Sequence, residues 1–276
     1  ILFFTTKGKV FGAKAWEIPE TSRQAKGQAL VNLLNLEQGE EIRSILPLDK
    51  NGGGKNLIMA TALGIVKKTP LFQYENLRTS GLIAIRLRSG DALVSAHITK
   101  GDDHIIVVTK KGKAIRFPEA NARPMGRATS GVAGMRMEEG DVVISMEVFP
   151  SKLPKVSDKR RKVFRDVLTI SQRGLGKRTP VKFFPIQRRA GKGVKAAVVN
   201  ERTGNLSAAV MVNEKMEQVI ITSKGGQVIK LPLKNIPQLG RATQGVILMR
   251  FANKSDSVAA AAVLEKATEE EIPPIE

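Results

Sequence analysis

Cysteine is absent from the 276 residues, which excludes a disulfide framework, a thiolate nucleophile and a cysteine-ligated zinc site. It also fits a reducing compartment. Aromatic residues make up 4%, with one Trp and one Tyr beside ten Phe, and most of these stand in apolar strand contexts. Base stacking on single strands is therefore the weaker mode of nucleic-acid binding. Histidine occurs twice, as His97 in LVSAHITK and His104 in DDHIIVVT, both reading as strand or strand edge. No Ser/His/Asp spacing and no His/Asp/Glu cluster with metal-ligand spacing accompanies them. The glycine run ending in Lys55 is followed by Asn56 rather than Ser or Thr, and Gly191-Lys192-Gly193 fails as a phosphate loop for the same reason. Tyr74, within LFQYENLR, reads as a packing residue. This chain is expected to do no covalent chemistry itself. No apolar run approaches the roughly 18 residues of a membrane span, the longest clear one being 258–264. Ile1 opens without a Met and without a signal-peptide pattern, so the chain reads as a piece of something longer.

Acidic residues are scarce beside basic ones. Lys and Arg number 45 against 26 Asp and Glu, a net charge of +19 and a pI near 10.3. Such an excess implies a polyanionic partner rather than a neutral metabolite. Hydrophobic residues at 42% and charged residues at 26% suit a packed globular protein.

What is present is a repeat. A β-branched run ending in a turn with glycine recurs five times, as ILFFTTKGKV (1–10), LIMATALGIV (57–66), IIVVTKKGKA (105–114), VLTISQRGLG (167–176) and VIITSKGGQV (219–228). Apolar β-formers around a glycine-bearing turn spell a hairpin, because glycine supplies the positive φ that a tight turn requires. A second glycine follows about 17 to 20 residues later in each copy: Gly27, Gly81, Gly131, Gly193 and Gly245, spaced by 54, 50, 62 and 52. Each opens another strand, and three of those strands run into Gly-acid pairs at Gly39-Glu40, Gly90-Asp91 and Gly140-Asp141, with Gly204-Asn205 in the fourth. A period near 50 with several short strands predicts an all-β, propeller-like array of five four-stranded antiparallel blades. The blades fall near 1–50, 51–100, 101–153, 154–213 and 214–264, forming one domain over 1–264 because each blade buries a face only against its neighbours. The acidic stretch EKATEEEIPPIE (265–276) reads as a disordered tail, either solubilising or competing for basic surface.

The loop before the second glycine carries the functional signal. It reads SRQAKG, LRTSG, GRATSG, QRRAGKG and GRATQG, with Arg23, Arg127, Arg189 and Arg241 four residues before the glycine and Arg78 three before. Lys26 joins the first loop, and Arg188, Lys192 and Lys195 thicken the fourth. A second basic set follows each hairpin: Lys67 and Lys68, Arg116, Lys177 and Arg178, and Lys230. Charged loop tips are ordinarily just solvated, but solvation does not specify a register kept through tandem copies. These residues are the candidate contacts for a duplex backbone, where affinity comes from phosphate neutralisation and depends steeply on salt. Residues 152–195 concentrate 15 basic and 2 acidic residues.

From Ile1 to about Leu264 the chain resembles the C-terminal domain of DNA gyrase A, the β-pinwheel. KAWEIPETSRQAKGQALVNLLNLEQGEEI (14–42), MATALGIVKKTPL (59–71), GKAIRFPEANARPMGRATSGVAGMRMEEGD (112–141) and GRATQGVILMR (240–250) carry the likeness. The family's hallmark is a basic box of the form Q-[RK]-R-G-G-K-G. Here Gln187, Arg188, Arg189, Ala190, Gly191, Lys192 and Gly193 give QRRAGKG, with alanine for the first paired glycine. The family has six blades with the box in the first, whereas QRRAGKG lies in the fourth repeat and the opening repeat resembles the family's second blade. A first blade with its own box would then lie upstream of Ile1.

The resemblance implies sequence-nonspecific binding and wrapping of duplex DNA in support of ATP-dependent negative supercoiling by a type II topoisomerase in the cytoplasm. It implies partners in the remainder of gyrase A and in gyrase B, an A2B2 assembly, no membrane contact and no cofactor in this region, ATP and Mg acting elsewhere. Two other readings stay open: the equivalent domain of topoisomerase IV, and a propeller-type module whose arginine loops bind acidic protein surfaces.

Overall fold

A computed structural model of the chain describes residues 1–20, 29–48, 53–75, 77, 80–152, 164–253 and 255–266. Every repeat begins with its hairpin. The first supplies β1 (Leu2–Thr5), β2 (Lys9–Gly12) and β3 (Ile42–Leu46). The second supplies β4 (Asn56–Thr61), β5 (Ile65–Pro70), β6 (Leu82–Ile83) and β7 (Leu93–Thr99), and the third β8 (Asp103–Thr109), β9 (Lys113–Pro118), β10 (Val132–Ala133) and β11 (Val143–Pro150). The fourth holds β12 (Arg165–Ser171), β13 (Leu175–Pro180), β14 (Val194–Lys195) and β15 (Leu206–Asn213), and the fifth β16 (Met216–Ser223), β17 (Val228–Pro232), β18 (Val246–Ile247) and β19 (Val258–Glu265). Six single-turn 3-10 helices are the only helical segments among the described residues.

The sheets are antiparallel, in the orders β3-β1-β2-β6, β10-β5-β4-β7, β11-β8-β9-β14 and β15-β12-β13-β18, followed by β17-β16-β19. The two-residue strand after Gly81, Gly131, Gly193 and Gly245 does not join its own repeat. It pairs with the hairpin of the repeat before it: β6 with β2, β10 with β5, β14 with β9, β18 with β13. The all-β array of five antiparallel sheets is thus present, four of them four-stranded. The fifth has three strands among the described residues, because no later repeat supplies a partner for β17 there. Glu265 ends β19 opposite Met216, so the acidic stretch begins inside a strand; its residues 267–276 lie outside the described residues.

Close approach explains the second glycine. At Gly245 the backbone has φ +86°, and a Cβ there would stand 2.4 Å from the Gly176 carbonyl oxygen of the strand that β18 joins. At Gly131, also φ +86°, it would stand 2.7 Å from the Val66 oxygen. Only a residue without a side chain lets the borrowed strand reach its host.

Acids near the start of the outer strand anchor hairpin turns, Glu40 and Asp91 from Gly-acid pairs and Asp256 after Ser255. Asp91 Oδ1 accepts the Leu63 amide at 2.9 Å. Asp256 accepts from the Ser223 hydroxyl at 2.6 Å and the Gly225 amide at 2.9 Å, and Glu40 accepts from the Thr5 hydroxyl.

The chain packs as two compact units. The first comprises Ile1–Val107, Ile115–Ser151 and Ile186–Gly193; the second comprises Val108–Ala114, Lys152–Pro185 and Val194–Glu276. In the first unit β4 serves two cores at once. Leu57 and Met59 pack with Leu2, Phe4 and Tyr74, while Ile58 and Ala60 pack with Ile105, Val107 and Val143. Alternate residues of a strand point to opposite faces, so β4 is buried along both and reads as a continuous apolar run rather than an alternating one. In the second unit Leu168 and Ile170 of β12 share a core with Val219 and Ile221 of β16.

Candidate nucleic-acid interface

The second hairpin strand ends in proline in four repeats: Pro70, Pro118, Pro180 and Pro232. Proline donates nothing to the ladder, and each opens a 3-10 turn. The turn releases the chain into the arginine loop. Three of the loops are then docked in one pattern. The carbonyls of Thr129, Gly191 and Thr243 accept the amides of Arg86 at 3.0 Å, Arg136 at 2.9 Å and Val198 at 3.1 Å.

The loop arginines are docked too. Arg127 Nη1 donates to the Ile83 carbonyl at 2.9 Å, Arg189 Nη1 to Ala133 at 3.0 Å and Arg241 Nη1 to Lys195 at 2.9 Å. Ile83, Ala133 and Lys195 are in each case the second residue of a borrowed strand. Arg189 also donates through Nε to Asn121 at 2.9 Å. The fixed register of these arginines thus has a structural cause: each ties its loop to the borrowed strand of the repeat before. A guanidinium has five donors, so the half-exposed heads keep N–H groups for a further acceptor. Arg23, Lys26 and Arg78 lie outside the described residues.

The basic set after the hairpins is placed differently from the expectation. Lys67, Lys68 and Lys177 are 0%, 5% and 1% exposed, which takes them out of reach of a phosphate. Lys67 Nζ donates to Ala84 O at 2.5 Å and to Arg127 O; Lys177 Nζ donates to Gly240 O and Arg241 O, both at 2.6 Å, and to Thr243 Oγ1 at 3.0 Å. Lys68 lies against Glu119, at 3.1 Å from its carbonyl and 3.6 Å from its carboxylate. Arg116 and Arg178 are half-buried. Arg116 Nε donates to His104 Nδ1 at 3.1 Å with its guanidinium over Phe149. Arg178 donates to Ile236 O at 2.9 Å, faces Asp166 at 3.6 Å and lies over Phe164. Lys230 is exposed.

A signal for the burial was present in the sequence. Three residues past the hairpin glycine stand Phe11, Lys67, Ile115, Lys177 and Ile229, an apolar column into which two lysines intrude.

The fourth loop is built most openly. Arg188 and Lys192 are exposed, and their side chains make no hydrogen bond or ion pair among the described residues. Between them the backbone turns at Ala190, whose φ of 64° is the only positive value at a non-glycine among the described residues. The Ala190 amide is drawn to Gly134 O at 2.6 Å, which holds this conformation. Lys195, on β14 of the second unit, is also exposed. Among the described residues no group of His, Asp and Glu could hold a metal ion, and no helix is long and apolar enough to cross a membrane.

The family model described as "DNA gyrase C-terminal domain, beta-propeller" matches residues 1–49, 55–100, 103–150, 165–213 and 217–265, one block per repeat. DNA gyrase A of Escherichia coli (strain K12) is 39% identical over 276 residues, covering 100% of this chain and 30% of the relative. Its Pseudomonas aeruginosa counterpart is 38% identical over 296 residues, covering 92% of this chain and 31% of the relative. The chain thus spans less than a third of the length of these relatives. Two solved structures share its fold. The C-terminal domain of DNA topoisomerase IV superposes with a TM-score of 0.83 at 24% identity, covering 96% of this chain and 78% of that one. The DNA gyrase A C-terminal domain gives 0.77 at 23%, covering 95% and 81%. On the strength of five matched repeats the chain belongs to the DNA gyrase C-terminal domain, beta-propeller family.

Proposed function

We propose that this chain binds duplex DNA without sequence preference along its arginine loops and curves it. In this reading it acts as the wrapping domain of gyrase A in a cytoplasmic DNA gyrase. The cleavage region of the same polypeptide and an ATP-hydrolysing gyrase B, in an A2B2 assembly, complete the supercoiling reaction. One observation carries the reading. The exposed heads of Arg188 and Lys192 stand on a loop whose backbone is fixed at Ala190 and Gly191 and which the Arg189 side chain ties to Ala133, so cationic groups are presented on a rigid mount. Net charge of +19 supplies the long-range attraction. Bending a 20–30 bp site by 40–90° costs on the order of 1–6 kcal/mol, which repeated phosphate contacts offset.

The test is duplex affinity of Arg188→Ala/Lys192→Ala over a salt series, paired with a topology assay of DNA writhe. Affinity should fall alike for unrelated sequences, and the slope of log K against log salt should flatten by up to about 0.9 per lost phosphate contact. An unchanged slope together with wild-type writhe would refute the assignment.

A further inference from the structure

Buried ammonium groups are rare unless paired with acids, and Lys67 and Lys177 are buried without one among the described residues. Each lies three residues past a hairpin glycine, in the second and fourth repeats, where the third and fifth have Ile115 and Ile229. Each reaches the arginine loop of the next repeat, Lys67 while also donating to Ala84 O of its own. Lys67 meets the carbonyl of Arg127 itself, and Lys177 meets the carbonyls of Gly240 and Arg241 and the Thr243 hydroxyl. The third repeat has no such reach: Ile115 lies under Gly191, its Cδ1 3.4 Å from where a Cβ would stand. Lysine is therefore used beneath GRATSG and GRATQG and an aliphatic side chain beneath QRRAGKG.

We infer that Lys67 and Lys177 are positioning residues that latch the arginine loops 126–131 and 240–245 in the form that meets DNA. This rests on the DNA-binding reading above, and adds that two loops are held by internal cations while the 187–193 loop is not. The latch is electrostatic in a particular sense. A buried ammonium collecting two or three carbonyl or hydroxyl oxygens fixes the turn from inside, while the loop guanidinium is held by the borrowed strand.

The latches are sensitive to protons. Burial, with the Arg127 guanidinium adding to it, pushes Lys67 down to about 7; burial and Arg241 bring Lys177 to about 8. Arg127 and Arg241 are the charged groups acting on the two ammoniums. The other titratable group at the Lys67 site is Tyr74, whose hydroxyl donates to the same Ala84 carbonyl at 3.4 Å and which burial pushes up to about 12, so it stays neutral throughout. Above pH 8 both lysines lose a donor and their charge, and the loops loosen. Global stability moves the other way. The unfolded chain keeps these protons up to about 10.5 while the folded chain has released them, so the two lysines' contribution to stability rises with pH between those limits.

The test uses Lys67→Met and Lys177→Met in the full chain, with Lys67→Ile and Lys177→Ile, which copy the third and fifth repeats, as second variants should packing fail. Three amides report loop docking: Arg86 on Thr129, Val198 on Thr243 and Arg136 on Gly191. Hydrogen exchange without DNA should quicken about tenfold at Arg86 in the Lys67 variants and at Val198 in the Lys177 variants. Arg136 should stay as in the wild type. The salt slope of duplex binding should flatten by up to about 0.9 per loop arginine withdrawn from phosphate. Wild-type affinity should also fall between pH 7 and 9, and that fall should vanish in the double variant. Unchanged exchange at Arg86 and Val198 overturns the latch. Quickened exchange with an unchanged salt slope overturns its role in DNA binding. A wild-type chain that binds no duplex overturns the proposed function and the positioning role with it, and the exchange data then separate that failure from a failure of the latch.

Discussion

Arg189 holds Ala133 and Asn121 together, its Nη1 3.0 Å from one carbonyl and its Nε 2.9 Å from the other. A borrowed strand and a 3-10 turn of the first unit are thereby joined through one side chain. Net hydrogen bonds at such half-exposed sites contribute about 0.5–1.5 kcal/mol each, so Arg189→Ala should lower stability by about 1–2 kcal/mol in denaturant unfolding. Arg189→Lys keeps the charge, but a single ammonium cannot span both carbonyls. It should lose a similar part of the stability while preserving the salt slope of DNA binding. Wild-type stability in both variants would mean that the tether contributes nothing.

Ala190 holds φ 64°, where an L side chain costs roughly 1–2 kcal/mol. Glycine relieves that strain but adds about 0.4–1 kcal/mol of unfolded-chain entropy. Ala190→Gly should therefore raise stability by about 0.5–1 kcal/mol, read as a shift of the denaturant midpoint at constant slope. A fall in midpoint would show that the methyl group packs usefully.

Gly245→Ala should act in the opposite sense. It adds a methyl 2.4 Å from the Gly176 oxygen at φ +86°, and the strain alone costs about 1–2 kcal/mol. Leu248 and Met249 both donate their amides to Gly174, so the displaced strand should also expose those amides to exchange. Protection there equal to wild type would contradict the steric account.

Acid should weaken the first repeat through Glu37. Hydrogen bonds and charge from Lys9, at 2.5 Å, and Lys7, at 2.9 Å, hold its carboxyl at about 2 instead of the usual 4.5. A depressed folded-state value gives stability that is full above pH 4.5 and lost as the pH falls toward 2. Glu37→Gln should flatten the acid limb of the stability profile in that window, and because Glu37 also holds Lys9 above its ordinary value, the smaller stability lost at alkaline pH should shrink with it. The pair is solvent-exposed, so added salt should shrink the difference between the two proteins. An acid limb identical in both would remove Glu37 from the account.

Much of this architecture was legible because glycine leaves a mark wherever the backbone must take a positive φ or come close to another strand. Gly81, Gly131, Gly193 and Gly245 fall in register for that reason, and the period of the fold followed from them. The exchange of strands was not legible. Val132–Ala133 and Val194–Lys195 are too short for an alternating pattern, and nothing in two residues tells which hairpin they join. The arginine register was legible but carried two meanings, since a tether to Ile83 or Ala133 and a contact to phosphate both require a fixed position. Lys67 and Lys177 were misread as surface charges. Read in one copy, IVKKTP looks like an exposed basic strand end; only the column shared with Phe11, Ile115 and Ile229 marks the site as interior.

The borrowed strands give the chain a direction. Each of the first four sheets is finished by residues that come well over sixty positions after the strand they pair with, as Ile83 does after Lys9 and Val194 after Ala114, so a repeat can be complete only after its successor has been made and docked. During synthesis the most recent sheet is always one strand short, and its unsatisfied edge is covered by the next length of chain to emerge. Damage travels the other way: unfolding a later repeat strips a strand from the earlier one and leaves its edge open. Proteolysis within the fourth repeat that frees β14 should therefore be felt in the third, as an opened edge at β9.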